Sequence, residues 1–187
     1  DRPYGLGVNL YLRTRDLVDF VRNDKGASVN VNRRFGDYWK VGNLLSFTTV
    51  RISDVALDAP QTLRDSEGTT TLNSTTPYLV FDSRDDPYTP SIGRFNRLSF
   101  EYGGAPILDG VDFMRIGNDY YQYWTLSQNE DEERKHILSF GLRTGMVVAH
   151  SETSTIPVFM RYFAGGSTSV RGFGFNAIGP KEGDTVL

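Results

Sequence analysis

The chain has no cysteine. That excludes a disulfide, a thiolate metal site and a cysteine nucleophile. Its two histidines, His136 and His150, carry no metal-ligand spacing around them. No apolar run approaches the roughly 18 residues that a membrane-spanning helix needs. Positive charge is not in excess: the formal net charge is −3, so the basic footprint of a nucleic-acid binder is missing. Hydrophobic residues make up 39%, on the low side for a soluble globular domain. The chain opens at Asp1-Arg2-Pro3-Tyr4 without an initiator Met or a signal-peptide pattern. It reads as a fragment, or as the ordered part of a longer chain.

Aromatic residues are plentiful, at 13%, with 12 Phe, 10 Tyr and 2 Trp, and there are 19 Gly. That mixture suits a barrel wall, in which one face of each strand meets lipid and Tyr and Trp gather at the interfaces. The periodicity is two almost everywhere, which argues strands. In Tyr4 to Arg13, Tyr4, Leu6, Val8, Leu10 and Leu12 share one face, and Gly5, Gly7, Asn9, Tyr11 and Arg13 share the other. Similar alternation predicts strands at Ala27 to Phe35, Tyr38 to Ser53, Leu72 to Ser83, Arg94 to Gly103, Phe113 to Gln128 and His136 to His150. These runs are about 10–16 residues long, against about 9–11 for a tilted membrane-spanning strand and about 5–6 for an average soluble one. Pro77, inside the fourth run, removes a ladder donor and is expected to mark a bulge.

Short turns are expected at Phe35-Gly36-Asp37, Asp85 to Gly93 and Asn129 to Lys135. Longer loops are expected at Thr14 to Lys25 and at Asp54 to Thr70, with an intermediate one at Gly104 to Asp112. With the short turns towards the periplasm, the odd-numbered strands run outward. The fold class is all-β, an antiparallel transmembrane β-barrel represented by about seven long strands. Residues 1–150 form the wall, and residues 151–187, rich in glycine and without a long alternating run, form a long loop.

Two blocks carry a family resemblance. Residues 162–181 read Tyr-Phe-Ala-Gly-Gly-Ser-Thr-Ser-Val-Arg-Gly-Phe-Gly-Phe-Asn-Ala-Ile-Gly-Pro-Lys. This resembles the sixth extracellular loop of the BamA-like outer-membrane protein assembly factor family, in which an aromatic-Ala-Gly-Gly-Ser run leads into Val-Arg-Gly-Phe. Phe81-Asp82-Ser83-Arg84-Asp85-Asp86-Pro87-Tyr88-Thr89-Pro90-Ser91-Ile92-Gly93 resembles the family's Asp-x-Arg-Asp-x-Pro…Pro-x-x-Gly turn.

The resemblance implies the middle of a barrel, at about strands five to eleven of sixteen, plus the first part of the loop. It implies a non-enzymatic factor, without cofactor or metal, that inserts β-barrel proteins into the outer membrane of a diderm bacterium. Outer-membrane lipid, unfolded outer-membrane proteins, accessory assembly lipoproteins and POTRA domains outside this chain are its implied partners. A two-partner secretion transporter or another protein-translocating pore of the same superfamily is the alternative. A soluble β-barrel that binds a small ligand is the reading from another class.

The resemblance also implies roles. Arg171 would meet acidic wall residues outside this chain, using a bidentate fork that Lys lacks. Gly172 would give the backbone close approach or positive φ, and Val170 and Phe173 would anchor the tip by packing. Gly165-Gly166 reads equally as a flexible linker or as a turn that redirects the loop. Ile178-Gly179-Pro180-Lys181 reads as loop support or as a generic turn. Asp82, Arg84, Asp85, Pro87, Pro90 and Gly93 read as a polar interfacial turn with local salt bridges; Arg84 interrupts the acids and the spacing fails the EF-hand pattern. Glu130-Asp131-Glu132-Glu133-Arg134-Lys135 reads as a solvated turn.

Overall fold

The computed structural model describes residues 4–17, 20–57, 59–128, 135–167, 169–174, 177–179, 181–182 and 185–186. Seven strands follow one another in a single antiparallel sheet: β1 (Tyr4–Asp16), β2 (Val21–Phe35), β3 (Trp39–Ser53), β4 (Gly68–Asp82), β5 (Gly93–Gly103), β6 (Phe113–Gln128) and β7 (Lys135–Ala149). The sheet order is the chain order and the sheet is not closed on itself, so it is a partial barrel. Two two-residue strands, β8 (Lys181–Glu182) and β9 (Thr185–Val186), pair separately.

Register carries the apolar positions across the whole sheet. Leu6 faces Val31, Val8 faces Val29, Val29 faces Leu45 and Val41 faces Leu79. Leu79 then meets Leu98, Phe100 meets Ile116 and Ile116 meets Met146. Because a strand's side chains alternate, every residue of this set projects to the same side. Apart from the half-buried Val29 it stays bare: Leu6 is 74% exposed, Leu12 86% and Met146 57%. The buried side chains Val50, Ile52, Tyr78, Val80 and Phe113 have the opposite parity and lie on the polar face. A soluble barrel would bury the apolar face. Soluble monomers seldom expose contiguous apolar patches beyond a few hundred Å², so this inverted burial is that of a sheet whose apolar side meets hydrocarbon. It is also why the alternation of β3 blurs towards its end: Val50 and Ile52 are apolar residues on the inner side.

The structure corrects several expected boundaries. Thr14 to Lys25 is not a long loop. β1 and β2 stay paired from Tyr4–Arg33 to Asp16–Val21, and only residues 17–20 connect them. Beyond Leu12 both faces of this hairpin are polar, so alternation cannot reveal the strand. Residues 54–70 shrink to a connection before Gly68 that contains a one-turn helix, α1 (Gln61–Arg64). The contrast of short turns and long loops at the two ends is also weaker than expected, since residues 83–92 separate β4 from β5.

Pro77 makes no bulge. The pairings Thr75–Tyr102 and Tyr78–Ser99 keep one register across it, and the ladder to β5 simply skips Thr76 and Pro77. The one register shift of β6 and β7 falls between Thr125 and Ser127. Of the acidic run, residues 130–134 lie outside the described residues, and Lys135 begins β7.

Candidate functional site

After β7 the chain turns back over the polar face. Asp112, 5% exposed, fixes the start of this return. Its carboxylate accepts the backbone N–H groups of Ala105 (2.7 Å) and Glu152 (3.1 Å), and its own N–H donates to Thr153 Oγ1 (2.9 Å). One buried acid thus ties the β5–β6 connection to the residues leaving β7.

A short 3-10 turn, Val158–Met160, then lies between two wall arginines. Arg22 of β2 donates through Nε to Asp24 (2.7 Å) and through NH1 to the Phe159 carbonyl (3.3 Å), with its guanidinium 5.1 Å from the Phe159 ring centre. Arg115 of β6 donates to Glu101 (3.0 Å) and to the Met160 carbonyl (3.3 Å), and its guanidinium lies 5.4 Å from the Phe113 ring and 5.9 Å from the Tyr162 ring. Ser74 donates to the same Glu101 (2.7 Å).

Each arginine is therefore held by a wall acid and spends a second arm on a carbonyl of the returning loop. That division suits a forked guanidinium better than a point charge. Gly145 lets Tyr162 approach the wall, since a Cβ there would meet the ring and hydroxyl of Tyr162. On its other side Val158 packs with Ala59 and Leu63, flanked by Phe20, Val55, Ala56 and Phe163. Residues 54–67, expected as part of a polar loop, thus contribute an apolar cap over the loop root through Val55, Ala56, Ala59 and Leu63.

The tip follows. Ala164 and Ile178 exchange two backbone hydrogen bonds (2.8 and 2.9 Å), which closes residues 165–177 into a loop. Inside it the Gly166 N–H donates to the Phe173 carbonyl (3.0 Å), and Ser169 Oγ both accepts from the Gly165 N–H and donates to the Gly165 carbonyl (2.8 Å each). Val170 to Phe173 is a turn closed by Phe173 N–H to Val170 C=O (3.4 Å), with Gly172 at φ +93°. A type II turn needs glycine at that third position. Gly165 and Gly166 also have positive φ, +114° and +88°, a backbone conformation that suits glycine. Arg171 is exposed and makes no hydrogen bond or ion pair among the described residues. Val170 and Phe173 are 38% and 55% exposed. Ile178 is in the bridge and Gly179 follows it, Pro180 lies outside the described residues, and Lys181 lies in β8.

A seven-stranded unclosed sheet, bare on its apolar side and carrying a returning loop on its polar side, agrees with the comparison to known families. The Omp85 superfamily domain matches residues 1–186. The chain belongs to the Omp85 superfamily. It is 25% identical over 182 residues to the outer membrane protein assembly factor BamA of Nitratidesulfovibrio vulgaris, covering 97% of this chain and 22% of that protein. It is 30% identical over 182 residues to the sorting and assembly machinery component 50 homolog A of Xenopus laevis, covering 95% of this chain and 36% of that protein. The chain therefore spans about a fifth to a third of the relatives it matches. In fold it superposes on the crystal structure of BamA from Haemophilus ducreyi lacking POTRA domains 1-3, with a TM-score of 0.75 and 17% identity, over 95% of this chain and 36% of that one.

At the opposite end of this Omp85 sheet, the second motif is a preorganised turn. Arg84 grips Asp82 with two arms (2.8 Å each) and donates to the Pro87 carbonyl (3.1 Å). Asp85 accepts from the Ser91 N–H (2.9 Å), the Ile92 N–H (3.1 Å) and the Ser91 hydroxyl. Asp86 accepts from the N–H groups of Tyr88 (2.6 Å) and Thr89 (2.8 Å). Gly93, at φ +101°, leaves no room for a Cβ against the Ser83 carbonyl. The carboxylates are taken up by protein donors, as a structural turn requires. Pro87 and Pro90 lie within it.

The Ser91 donors hold the Asp85 carboxyl far below its usual 3.8. Asp86 is lowered too, by the Thr89 and Tyr88 N–H groups. A depressed carboxylate contributes stability above its unfolded value, and that contribution is lost as pH falls through the folded value. Wild-type protein is therefore expected to lose thermal stability below about pH 4, and Asp85→Asn to lose less over the same range. Gel-shift melting of the folded barrel at pH 7 and pH 3 measures this. Equal pH sensitivity in the variant would remove Asp85 as the cause.

The sequence signalled the turn and the tip. It gave no sign of Arg22, Arg115, Glu101 or Asp112. Each is an ordinary charged residue on a polar strand face or in a loop until the chain returns to meet it.

Proposed function

We propose that the chain is the rear wall of an outer-membrane assembly barrel together with the root of the extracellular loop, residues 151–187, that folds into its lumen. In this reading the whole protein is a non-enzymatic insertase. Its clients are unfolded outer-membrane proteins, whose strands pair with an open barrel edge, because an edge presents unpaired N–H and C=O groups. The lipid, POTRA domains and accessory lipoproteins act around this wall. Placement in a diderm bacterium rests on the BamA-like signature of residues 162–181.

The observation that carries the reading is the docking of Phe159–Met160 on the polar face by Arg22 and Arg115. It fixes the loop root just ahead of the Ala164–Ile178 closure. A loop held there presents Arg171 to acidic groups supplied by the remaining wall.

Arg171→Glu in the full-length protein is expected to lower folded porins while the variant still reaches the membrane. One charge-assisted bond is worth about 1.5–3 kcal/mol, roughly tenfold or more in docked population. Normal porin levels with a stable variant, in cells whose porins require the wild type, would exclude this role for Arg171. Porins independent of the wild type would turn the reading to a secretion pore.

A further inference from the structure

The apolar face is not uniform along its length. Near the turns that join β2 to β3 and β4 to β5 it carries an aromatic cluster. Phe35 pairs with Trp39 and Trp39 with Phe81 in the strand register, and the Trp39 and Phe81 rings meet edge-on at 4.8 Å. Tyr38 lies 5.9 Å from Phe81. Two arginines share this face. Arg33 has the parity of Val29 and Val31, and Arg94 has the parity of Leu98 and Phe100.

Neither is accounted for by the wall. Arg33 lies over Tyr4 (5.0 Å) and Phe35 (4.8 Å), and Arg94 over Phe81 (4.6 Å). Both are exposed, and among the described residues neither guanidinium has an acidic partner or a hydrogen bond. The four ion pairs of the described residues belong to Arg22, Arg84, Arg115 and Arg143. An arginine aimed at hydrocarbon without a counter-ion is costly. An arginine stacked on aromatic rings at the edge of an apolar band is held flat, with N–H donors free for an anion at that level.

We propose that Arg33 and Arg94, braced by Tyr4, Phe35 and Phe81, bind phosphate headgroups of anionic phospholipids in the leaflet at the turn end of the sheet. The inference rests on the membrane-spanning part of the function proposed above, not on the assembly activity. Charge complementarity selects the occupant: two unpaired cations at the rim of a lipid-facing band match an anionic headgroup. The aromatic rims fit the same level, since Trp and Tyr settle at headgroup depth. The whole-protein consequence is a fixed seating height for this side of the barrel, with lipid ordered against β2 to β5.

The test uses the full-length protein in bilayers of phosphatidylcholine, with spin-labelled phosphatidylglycerol or spin-labelled phosphatidylcholine as the probe. The motionally restricted fraction of each label gives the selectivity of the barrel surface. The wild type is expected to prefer phosphatidylglycerol, and Arg33→Gln with Arg94→Gln to lower that preference by roughly fivefold per arginine. Arg33→Lys with Arg94→Lys should retain part of it. If the double Gln variant does not fold, raising salt from about 0.1 M to 1 M on the wild type gives the same reading, because screening removes an exposed electrostatic contact. Unchanged selectivity in a folded Gln variant, or in wild type at high salt, overturns the headgroup site. No restricted lipid at all around the wild type would overturn the membrane-spanning reading with it, whereas porin assembly does not enter this measurement.

Discussion

Replacing both Arg22 and Arg115 with methionine in the whole protein is expected to release the root of the returning loop while the strands stay paired. Methionine keeps much of the apolar stem and removes the fork. What disappears is one hydrogen bond from each arginine to the Phe159 or Met160 carbonyl and the stacking on Phe159 and Tyr162. A net hydrogen bond is worth about 0.5–1.5 kcal/mol and a partly exposed cation–π contact about 0.5–1. The pair therefore contributes about 2–5 kcal/mol to docking, which would raise the undocked population by one to several orders of magnitude.

The wall acids need their own control, because Asp24 is 6% exposed and would lose its counter-charge. Asp24→Asn and Glu101→Gln in the same background separate the loop contacts from that penalty, as a mutant cycle does. Limited proteolysis between β7 and Ala164 is the measurement, with retention of the heat-modifiable barrel as the check on folding. Rapid cleavage of a folded variant is the expected result. A loop as protected as in the wild type would show that α1 and its apolar neighbours hold the root alone. Lysine at both positions should protect only in part, since a single ammonium cannot serve both an acid and a carbonyl in the same fork geometry.

Phe113→Ala is expected to cost about 3–5 kcal/mol of barrel stability. Phe113 is 2% exposed although it stands on the polar face. Its ring occupies the space that a Cβ on Gly103 would fill, and Arg115 stacks above it. A small cavity of about 150 Å³ already adjoins it, lined among others by Arg22, Glu101, Phe159 and Met160. Removing the ring enlarges that void beneath the loop root. The surrounding strands are fixed by their ladders, so they cannot collapse into it, and the cavity penalty should be near its full value. Phe113→Leu should cost appreciably less. The measurement is the temperature at which the folded barrel loses its gel shift. A melting temperature within a degree or two of wild type would mean that the ring is not part of the packed interior.

Much of the architecture is legible in the sequence. The alternation of Leu6, Val8, Leu10 and Leu12, of Leu98, Phe100 and Tyr102, and of Leu138, Phe140 and Leu142 located strands and assigned their faces. It worked because the bilayer demands a continuous apolar side. It failed where neither face is apolar, along the paired arms Arg13 to Arg15 and Arg22 to Asp24, and where the inner face is partly apolar, at Val50 and Ile52. Pro77 misled because a missing donor was equated with a bulge; a gap of two residues in one ladder accommodates it without a shift. Within the site, Gly172 was readable because a backbone at positive φ leaves glycine as its signature, whereas Gly165 carries the same signature in a Gly-Gly pair that a flexible linker would share. Arg22 and Arg115 were not, since their partners are backbone carbonyls of residues more than a hundred and about forty-five positions away.

The sequence by itself determined the period-two strands, the lipid-facing parity and the two family motifs. These are local properties, written in side-chain type and spacing. The tertiary structure alone decided that the loop root lies against the polar face, that residues 54–67 cap it, and which arginines hold it. Those outcomes depend on long-range return of the chain, and a charged residue on a polar strand face has the same sequence signature whether it meets water or a carbonyl from a distant loop.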